Sequence, residues 1–149
     1  MNSQAPVKLA IVGLGRWAKV LTNAAQKSDK LEIIAGHSRS QEKRDIFTQQ
    51  FGVATYASLA EILAMPEIKG VIITVPNEQH YTVAKQIAEA GKHIYTEKPI
   101  SNILADGLRM EALQKEHNVT MTVGHSARLL KGIQMMKNNL DDGSPGQPA

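Results

Sequence analysis

The chain has 149 residues, of which 42% are hydrophobic and 4% aromatic, and it carries a formal net charge of +3. This length suits one ordinary globular core, and the lack of cysteine excludes disulfides, thiolate catalysis and cysteine-based metal sites. The basic residues form no cluster with aromatics, so we expect no nucleic-acid binding, and no apolar run approaches the roughly 18 to 20 residues that cross a membrane. Residues 1–6 lack the pattern of a secretory signal, so a soluble, cytoplasmic protein is expected.

Short apolar runs alternate with longer segments of helical character. This alternation predicts a doubly wound α/β domain with three layers, in which helices cover both faces of a parallel sheet, as in a Rossmann fold. The predicted strands are Val7–Val12, Leu31–Gly36, Ala54–Tyr56, Val71–Val75, His93–Tyr95 and Val119–Val123. The predicted helices are Arg16–Lys27, Gln41–Gln50, Ser58–Ala64, Tyr81–Ala90, Ile103–His117 and Leu129–Asn139, and Ser58 with Glu61 has the spacing of a capping box.

A glycine turn follows the first strand and leads into the first helix. Gly13 permits a tight turn, Gly15 lets backbone amides approach a phosphate, and the small Ala18 lets the helix pack closely on its strand. A glycine in such a turn is also common without any ligand. The apolar strand before the turn favours a dinucleotide site.

The end of the second strand bears on which nicotinamide cofactor is expected. An acidic residue there would bind the adenine-ribose hydroxyls and repel a 2′-phosphate. The chain instead has Ser38 and Arg39, followed by Lys43 and Arg44. Arg39 as a merely solvated residue is the alternative, but we expect NADP, with NAD possible.

Polar residues also follow the fourth and fifth strands. Thr74 and Asn77 come after the fourth, and His80 opens the next helix, although a histidine at that position is more often structural. Glu97 and Lys98 come after the fifth strand. At the carboxyl edge of a parallel sheet, Lys98 would stabilise a developing alkoxide or help to move a hydroxyl proton.

The segments GLGRWA, TVPNEQH, TEKP and VGHSAR follow the first, fourth, fifth and sixth predicted strands. In order and spacing they resemble the amino-terminal domain of the Gfo/Idh/MocA family, which includes glucose–fructose oxidoreductase and inositol dehydrogenase. The resemblance implies hydride transfer between a nicotinamide and a sugar or polyol hydroxyl, with Lys98 as the catalytic lysine. It also implies cofactor-binding roles for the following residues: Gly13, Gly15, Arg16, Trp17, Ser38, Arg39, Thr74, Pro76, Asn77, His80, Glu97 and His125. No metal site is expected.

Members of that family continue into an antiparallel-sheet domain that binds substrate. Residues 1–128 are therefore expected to form the dinucleotide-binding domain, and residues 129–149 a connecting helix and turn-rich linker toward a domain that this chain lacks. Apolar residues of the last helix, among them Leu129, Leu130, Ile133 and Met136, would then be uncovered, and we expect a homo-oligomer or a partner chain. A non-catalytic, redox-sensing nucleotide-binding module or remnant is the alternative function. A methyltransferase-like adenosine site is weaker because it leaves TEKP unexplained.

Overall fold

The computed structural model describes residues 5–143, and its core is one parallel sheet of six strands. The strands lie in the order β3-β2-β1-β4-β5-β6, so the chain first builds outward on one side of β1 and then returns to its other side. The strands are β1 (Val7–Val12), β2 (Leu31–His37), β3 (Ala54–Tyr56), β4 (Gly70–Ile73), β5 (His93–Thr96) and β6 (Met121–Val123). The predicted doubly wound α/β fold is confirmed.

Helices cover the sheet from both sides, as its crossover connections require. The helices are α1 (Arg16–Ala25), α2 (Gln41–Phe51), α3 (Leu59–Leu63), α4 (His80–Glu89), α5 (Leu104–Glu116) and α6 (Lys131–Asp141). Buried residues of α1 and α2 pack with Ile11 and Ile33 on one face. Those of α3, α4 and α5 pack on the other face with Val12 and Ile73.

Alternation along the central strands places the core on both faces of the sheet. Ala10 and Val12 pack toward α4, whereas Ile11 between them packs toward α1. All four residues of β4 are buried, which explains its uninterrupted apolar sequence.

The predicted elements are all present, with shifted ends. The fourth strand ends at Ile73 rather than Val75, and the sixth begins at Met121 rather than Val119, because Asn118 has a positive φ of 52° and Val119 donates its amide to Gln114. Two 3-10 turns, Asn77–Gln79 and Ser126–Leu129, were not predicted. Ser58 does precede α3, but its side chain makes no capping hydrogen bond, so the predicted capping box is wrong.

Helix α6 differs from the other helices because it packs mainly against the 3-10 turn before it. Every residue of α6 is exposed, and Leu129, just ahead of it, is 75% exposed. The predicted linker lies outside the described residues from position 144 onward, as do residues 1–4. Within residues 5–143, no helix is both long enough and apolar enough to cross a membrane.

Candidate cofactor site at the carboxyl edge of the sheet

The turn after β1 lies against the end of β4, where the strand order reverses direction. Gly13 has a φ of +92°, and a Cβ at this position would lie 2.8 Å from backbone atoms of Thr74 and Val75. The Thr74 hydroxyl lies 3.0 Å from the Val12 carbonyl oxygen and 2.6 Å from that of Gly13. The turn after β1 is therefore in close contact with the chain after β4. This contact lies where the strand order reverses, which is the position at which such sheets bind ligands in a crevice.

Helix α1 begins immediately beyond this turn with its amino end uncapped. Gly15 occupies the cap position without a side chain, the first turn has no acidic residue, and a Cβ added to Gly15 would meet no atom within 4 Å. Arg16 is exposed, and Trp17 is 44% exposed. An open helix amino end of this kind offers backbone N–H groups and a positive dipole to an anion.

The end of β2 carries positive charge and no carboxylate. Burial lowers the pKa of His37, and the charges of Arg44 and Arg39 lower it further, against the opposing effect of its hydrogen bond with the Tyr56 carbonyl. The Ser38 hydroxyl accepts from the Ser40 amide, and Arg39 is exposed. This end of the sheet is thus suited to an anionic group.

Arg44, counted among the cations of this segment in the sequence, is turned inward. Its guanidinium is buried and donates to the Ser38 carbonyl at 2.6 Å and to the Gln41 side chain. Arg44 therefore holds the backbone beneath Ser38 in place. Arg39 is left as the exposed guanidinium of the loop between β2 and α2.

His80, expected to border the nicotinamide and its ribose, is fully buried. Its Nε2 lies 3.1 Å from the Val75 carbonyl, and its Nδ1 lies 3.1 Å from the Pro99 carbonyl. The hydroxyl of buried Thr96 is 3.4 Å from the same Nδ1. The ring joins the loop after β4 to the loop after β5 from beneath, so it positions the site and presents no surface to a ligand.

The loops after β4 and β5 also meet at the surface. Pro76 is exposed, and the Asn77 amide donates to the Asn102 side chain at 3.3 Å. Glu97 donates its amide to the Ile73 carbonyl at 3.2 Å, which keeps its side chain beside the end of β4. Lys98 is exposed, its peptide bond to Pro99 is cis, and its ammonium has no ion pair with any residue from 5 to 143.

Sequence reasoning missed two residues that surround Glu97. The Tyr95 hydroxyl donates to Glu97 Oε1 at 3.2 Å. Burial raises the pKa of Tyr95 to about 12, and the charge and hydrogen bond of Glu97 act in the same direction. Gly124, buried at the end of β6, lies beside both side chains. The sequence signal was a tyrosine two positions before the glutamate, but its partner glycine lies on the next strand.

The remaining predicted residue, His125, is exposed directly after Gly124, and Arg128 lies in the following 3-10 turn. In the part of the chain that the structure describes, no three His, Asp or Glu side chains are grouped to hold a metal. A cavity of about 540 Å³ lies at the opposite edge, between the start of β2 and the ends of α1 and α2, and its walls contain none of the predicted site residues. The chemistry-bearing side chains instead collect at the carboxyl edge.

Comparisons with known proteins identify the family and the fold. The family model GFO_IDH_MocA, described as an oxidoreductase family with an NAD-binding Rossmann fold, matches residues 7–125. Inositol 2-dehydrogenase of Salmonella typhimurium is 33% identical over 150 residues, an alignment that covers 95% of this chain and 44% of that protein. An uncharacterized oxidoreductase of Streptococcus pneumoniae is 29% identical over 140 residues and is covered to 38%.

Two solved structures share the fold closely. One, from Desulfitobacterium hafniense and provisionally described as an NADPH-dependent oxidoreductase, has a TM-score of 0.93 and 41% identity, with 97% of this chain and 42% of that chain covered. The WlbA dehydrogenase of Chromobacterium violaceum, in complex with NADH and UDP-GlcNAcA, has a TM-score of 0.88 and 28% identity, with 94% and 41% covered. The chain spans about two fifths of the length of these relatives.

Alanine substitutions at the two glycines of the turn should have different effects on the free energy of unfolding. We expect Gly13→Ala to lower the free energy of unfolding by more than about 2 kcal/mol, because the new Cβ strains a positive φ and overlaps the backbone of Thr74 and Val75. Gly15→Ala is the matched control and should change it by less than about 1 kcal/mol, since Gly15 has a negative φ and open space around it. Urea unfolding measures both, and equal destabilisation would contradict the close approach.

Proposed function

This chain belongs to the GFO_IDH_MocA family of oxidoreductases with an NAD-binding Rossmann fold, and we propose that it binds NADP(H) in preference to NAD(H). In this proposal residues 1–128 bind the cofactor and residues 129–149 lead toward a substrate domain. The reaction is reversible hydride transfer between the nicotinamide and a carbinol carbon of a sugar or polyol.

The observation that carries cofactor binding is the contact of Gly13 with the backbone directly after β4, beside the uncapped amino end of α1. A side chain at Gly15 would occupy the open space from which a pyrophosphate would reach the backbone amides, whereas a side chain at Gly13 would force the turn away from Thr74 and Val75. The open cradle at Gly15 and the lack of an acidic residue in the first turn both fit an anionic group. Arg16 and Trp17 then flank the phosphate and nicotinamide side of the crevice.

The preference for NADP rests on the charge at the end of β2. Ser38 and Arg39 stand where a carboxylate would exclude a 2′-phosphate, and His37, the last residue of β2, experiences the positive charge of both Arg39 and Arg44. Arg39 has no ion pair within residues 5–143 and is exposed, so it is available for a phosphate. The description of the Desulfitobacterium relative as NADPH-dependent supports the same preference.

The bound nicotinamide would accept or supply the hydride. The Lys98 ammonium would hold the oxygen of the reacting carbon and help to move its proton, while Glu97 would accept hydrogen bonds from the nicotinamide ribose. Thr74, Pro76, Asn77 and His125 would border the same region, with His80 fixing the two loops beneath it. Inositol 2-dehydrogenase and a dehydrogenase bound to a nucleotide sugar among the relatives support a polyol or sugar substrate.

A second function is a nucleotide-binding module without turnover. It is favoured by one observation: within residues 5–143 the Lys98 ammonium has no ion pair with an acidic side chain that could complete a proton relay. Both functions require the same cofactor site.

We also propose that the chain associates with itself, or with a chain that supplies the substrate domain, through the face formed by Leu129, Leu130, Ile133 and Met136. All four side chains are at least 45% exposed on or beside a helix that packs mainly on its own preceding turn. Exposed apolar surface of this kind favours association.

Side-by-side titration with NADPH and NADH tests the cofactor proposal, by calorimetry or by the fluorescence of Trp17, which is the one tryptophan in the sequence. NADPH should bind more tightly, and Arg39→Ala should weaken NADPH by about tenfold while leaving NADH unchanged, because a charge-assisted hydrogen bond is lost. Arg109→Ala, on α5 and paired with Asp106, is the control. Equal affinity for the two cofactors would refute the preference, and binding of neither would refute the proposed function.

Turnover separates the enzyme from the binding module. With NADP⁺ or NADPH and a panel of sugars and polyols, we expect Lys98→Ala to lower kcat by about a hundredfold or more without weakening cofactor binding. Lys85→Ala, which removes a surface ion pair with Glu89, should leave the rate unchanged. If neither the intact chain nor the variant exceeds background, the module is correct and the enzyme proposal fails.

Light scattering at tens of micromolar protein tests self-association. The intact chain should give a mass above that of the monomer, and replacing both Leu129 and Met136 by Ser should restore the monomer by making the proposed face polar. Ile46→Ser on α2, where Ile46 is comparably exposed, should leave the mass unchanged. A monodisperse monomer for the intact chain would exclude the homo-oligomer.

A further inference from the structure

Three residues from adjacent strands converge beside the proposed nicotinamide pocket. Tyr95 lies on β5, Glu97 follows the end of that strand, and Gly124 follows β6, which pairs with β5 in parallel. The Tyr95 hydroxyl donates to Oε1 of Glu97 at 3.2 Å. A Cβ on Gly124 would meet that hydroxyl and would lie 2.9 Å from the same carboxylate oxygen.

We propose that Tyr95 is a positioning residue that orients the Glu97 carboxylate toward the nicotinamide ribose, and that Gly124 is glycine so that this pair can form. The inference rests on the proposed cofactor site and adds to it a residue outside the four family-like segments. Tyr95 does not touch the reacting atoms, and it acts only through Glu97.

The hydrogen bond constrains a side chain that is otherwise free to rotate. No second partner for the Glu97 carboxylate lies among residues 5–143, so Oε1 is engaged and Oε2 stays available to accept a ligand hydroxyl. Fixing one oxygen lowers the rotamer entropy that would otherwise be lost when a ligand binds. The raised pKa of Tyr95 keeps its hydroxyl protonated, so it remains a donor at neutral pH.

The backbone holds the three residues at this distance. The Gly124 amide donates to the Thr96 carbonyl at 2.8 Å, directly between Tyr95 and Glu97 in the chain. Gly124 cannot retreat without breaking this bond, so a methyl group there must displace the Tyr95 hydroxyl or the carboxylate. The hydrogen bond from Tyr95 to Glu97 therefore requires a glycine at position 124.

The test compares Tyr95→Phe with Tyr81→Phe in the full chain. Tyr81 is the matched control because its hydroxyl has no hydrogen-bond partner within the described range and its ring lies under Arg109 on α5. We expect Tyr95→Phe to weaken NADP⁺ by about three- to tenfold, as for loss of one hydrogen bond to a charged group, and Tyr81→Phe to leave it unchanged. Binding of 2′,5′-ADP, which lacks the nicotinamide ribose, should be the same in all three proteins.

The outcomes distinguish the two proposals. If the intact chain binds 2′,5′-ADP and NADP⁺ but Tyr95→Phe binds both as tightly as Tyr81→Phe does, the positioning role is wrong and the proposed function stands. If Tyr95→Phe weakens both ligands equally, the effect is a general loss of structure and again refutes it. If the intact chain binds neither ligand, the proposed function itself fails.

A double-mutant cycle gives the second readout. In the Glu97→Gln background, Tyr95→Phe should have a smaller effect on NADP⁺ affinity than in the intact chain, since the oriented carboxylate is already gone. Gly124→Ala should reproduce the loss seen with Tyr95→Phe and add little to it. Fully additive effects in both pairs would overturn the proposal.

Discussion

The close approach of the turn after β1 to the end of β4 determines the shape of this molecule's carboxyl edge. Gly13 touches the Thr74 backbone, and one threonine hydroxyl contacts the carbonyls of Val12 and Gly13. Because α1 and α4 leave the sheet on opposite faces from this point, the crevice between them opens directly above the contact. The uncapped end of α1, the loop after β4 and the Glu97 loop are all placed relative to it.

Buried polar side chains help to hold the loops around this crevice. Loop backbones carry N–H and C=O groups that need partners once they leave the sheet, and the partners here are side chains from other elements. The His80 ring contacts backbone carbonyls of the loops after β4 and β5, and Arg44 donates to a backbone carbonyl of the loop after β2. His80 and Arg44, which look like ligand-binding groups in the sequence, therefore stabilise the rim, while the exposed side chains of Lys98 and Arg39 remain available.

The fold could be predicted from the sequence because its signals are local. The fully buried run of β4 and the glycine turn after β1 each involve residues that are close together in the chain, and the alternation of short and long segments can be read directly along it. The roles of His80 and Arg44 could not, since both depend on carbonyl groups from other loops. The pairing of Tyr95 with Gly124 was equally hidden, because those positions become neighbours only through the parallel register of β5 and β6. The polar residues at the strand ends predicted that the candidate site lies at the carboxyl edge of the sheet. They could not predict which of those side chains are exposed there and which are buried.

Helix α6 has a thermodynamic consequence that follows from its isolation. Its 11 residues pack mainly on the turn before it, and all of them are exposed. Isolated helices shorter than about 12 to 15 residues are only marginally stable in water. The helix–coil equilibrium of α6 would therefore be linked to any partner that buries its apolar side chains, and part of the binding free energy of such a partner would be consumed in ordering the helix.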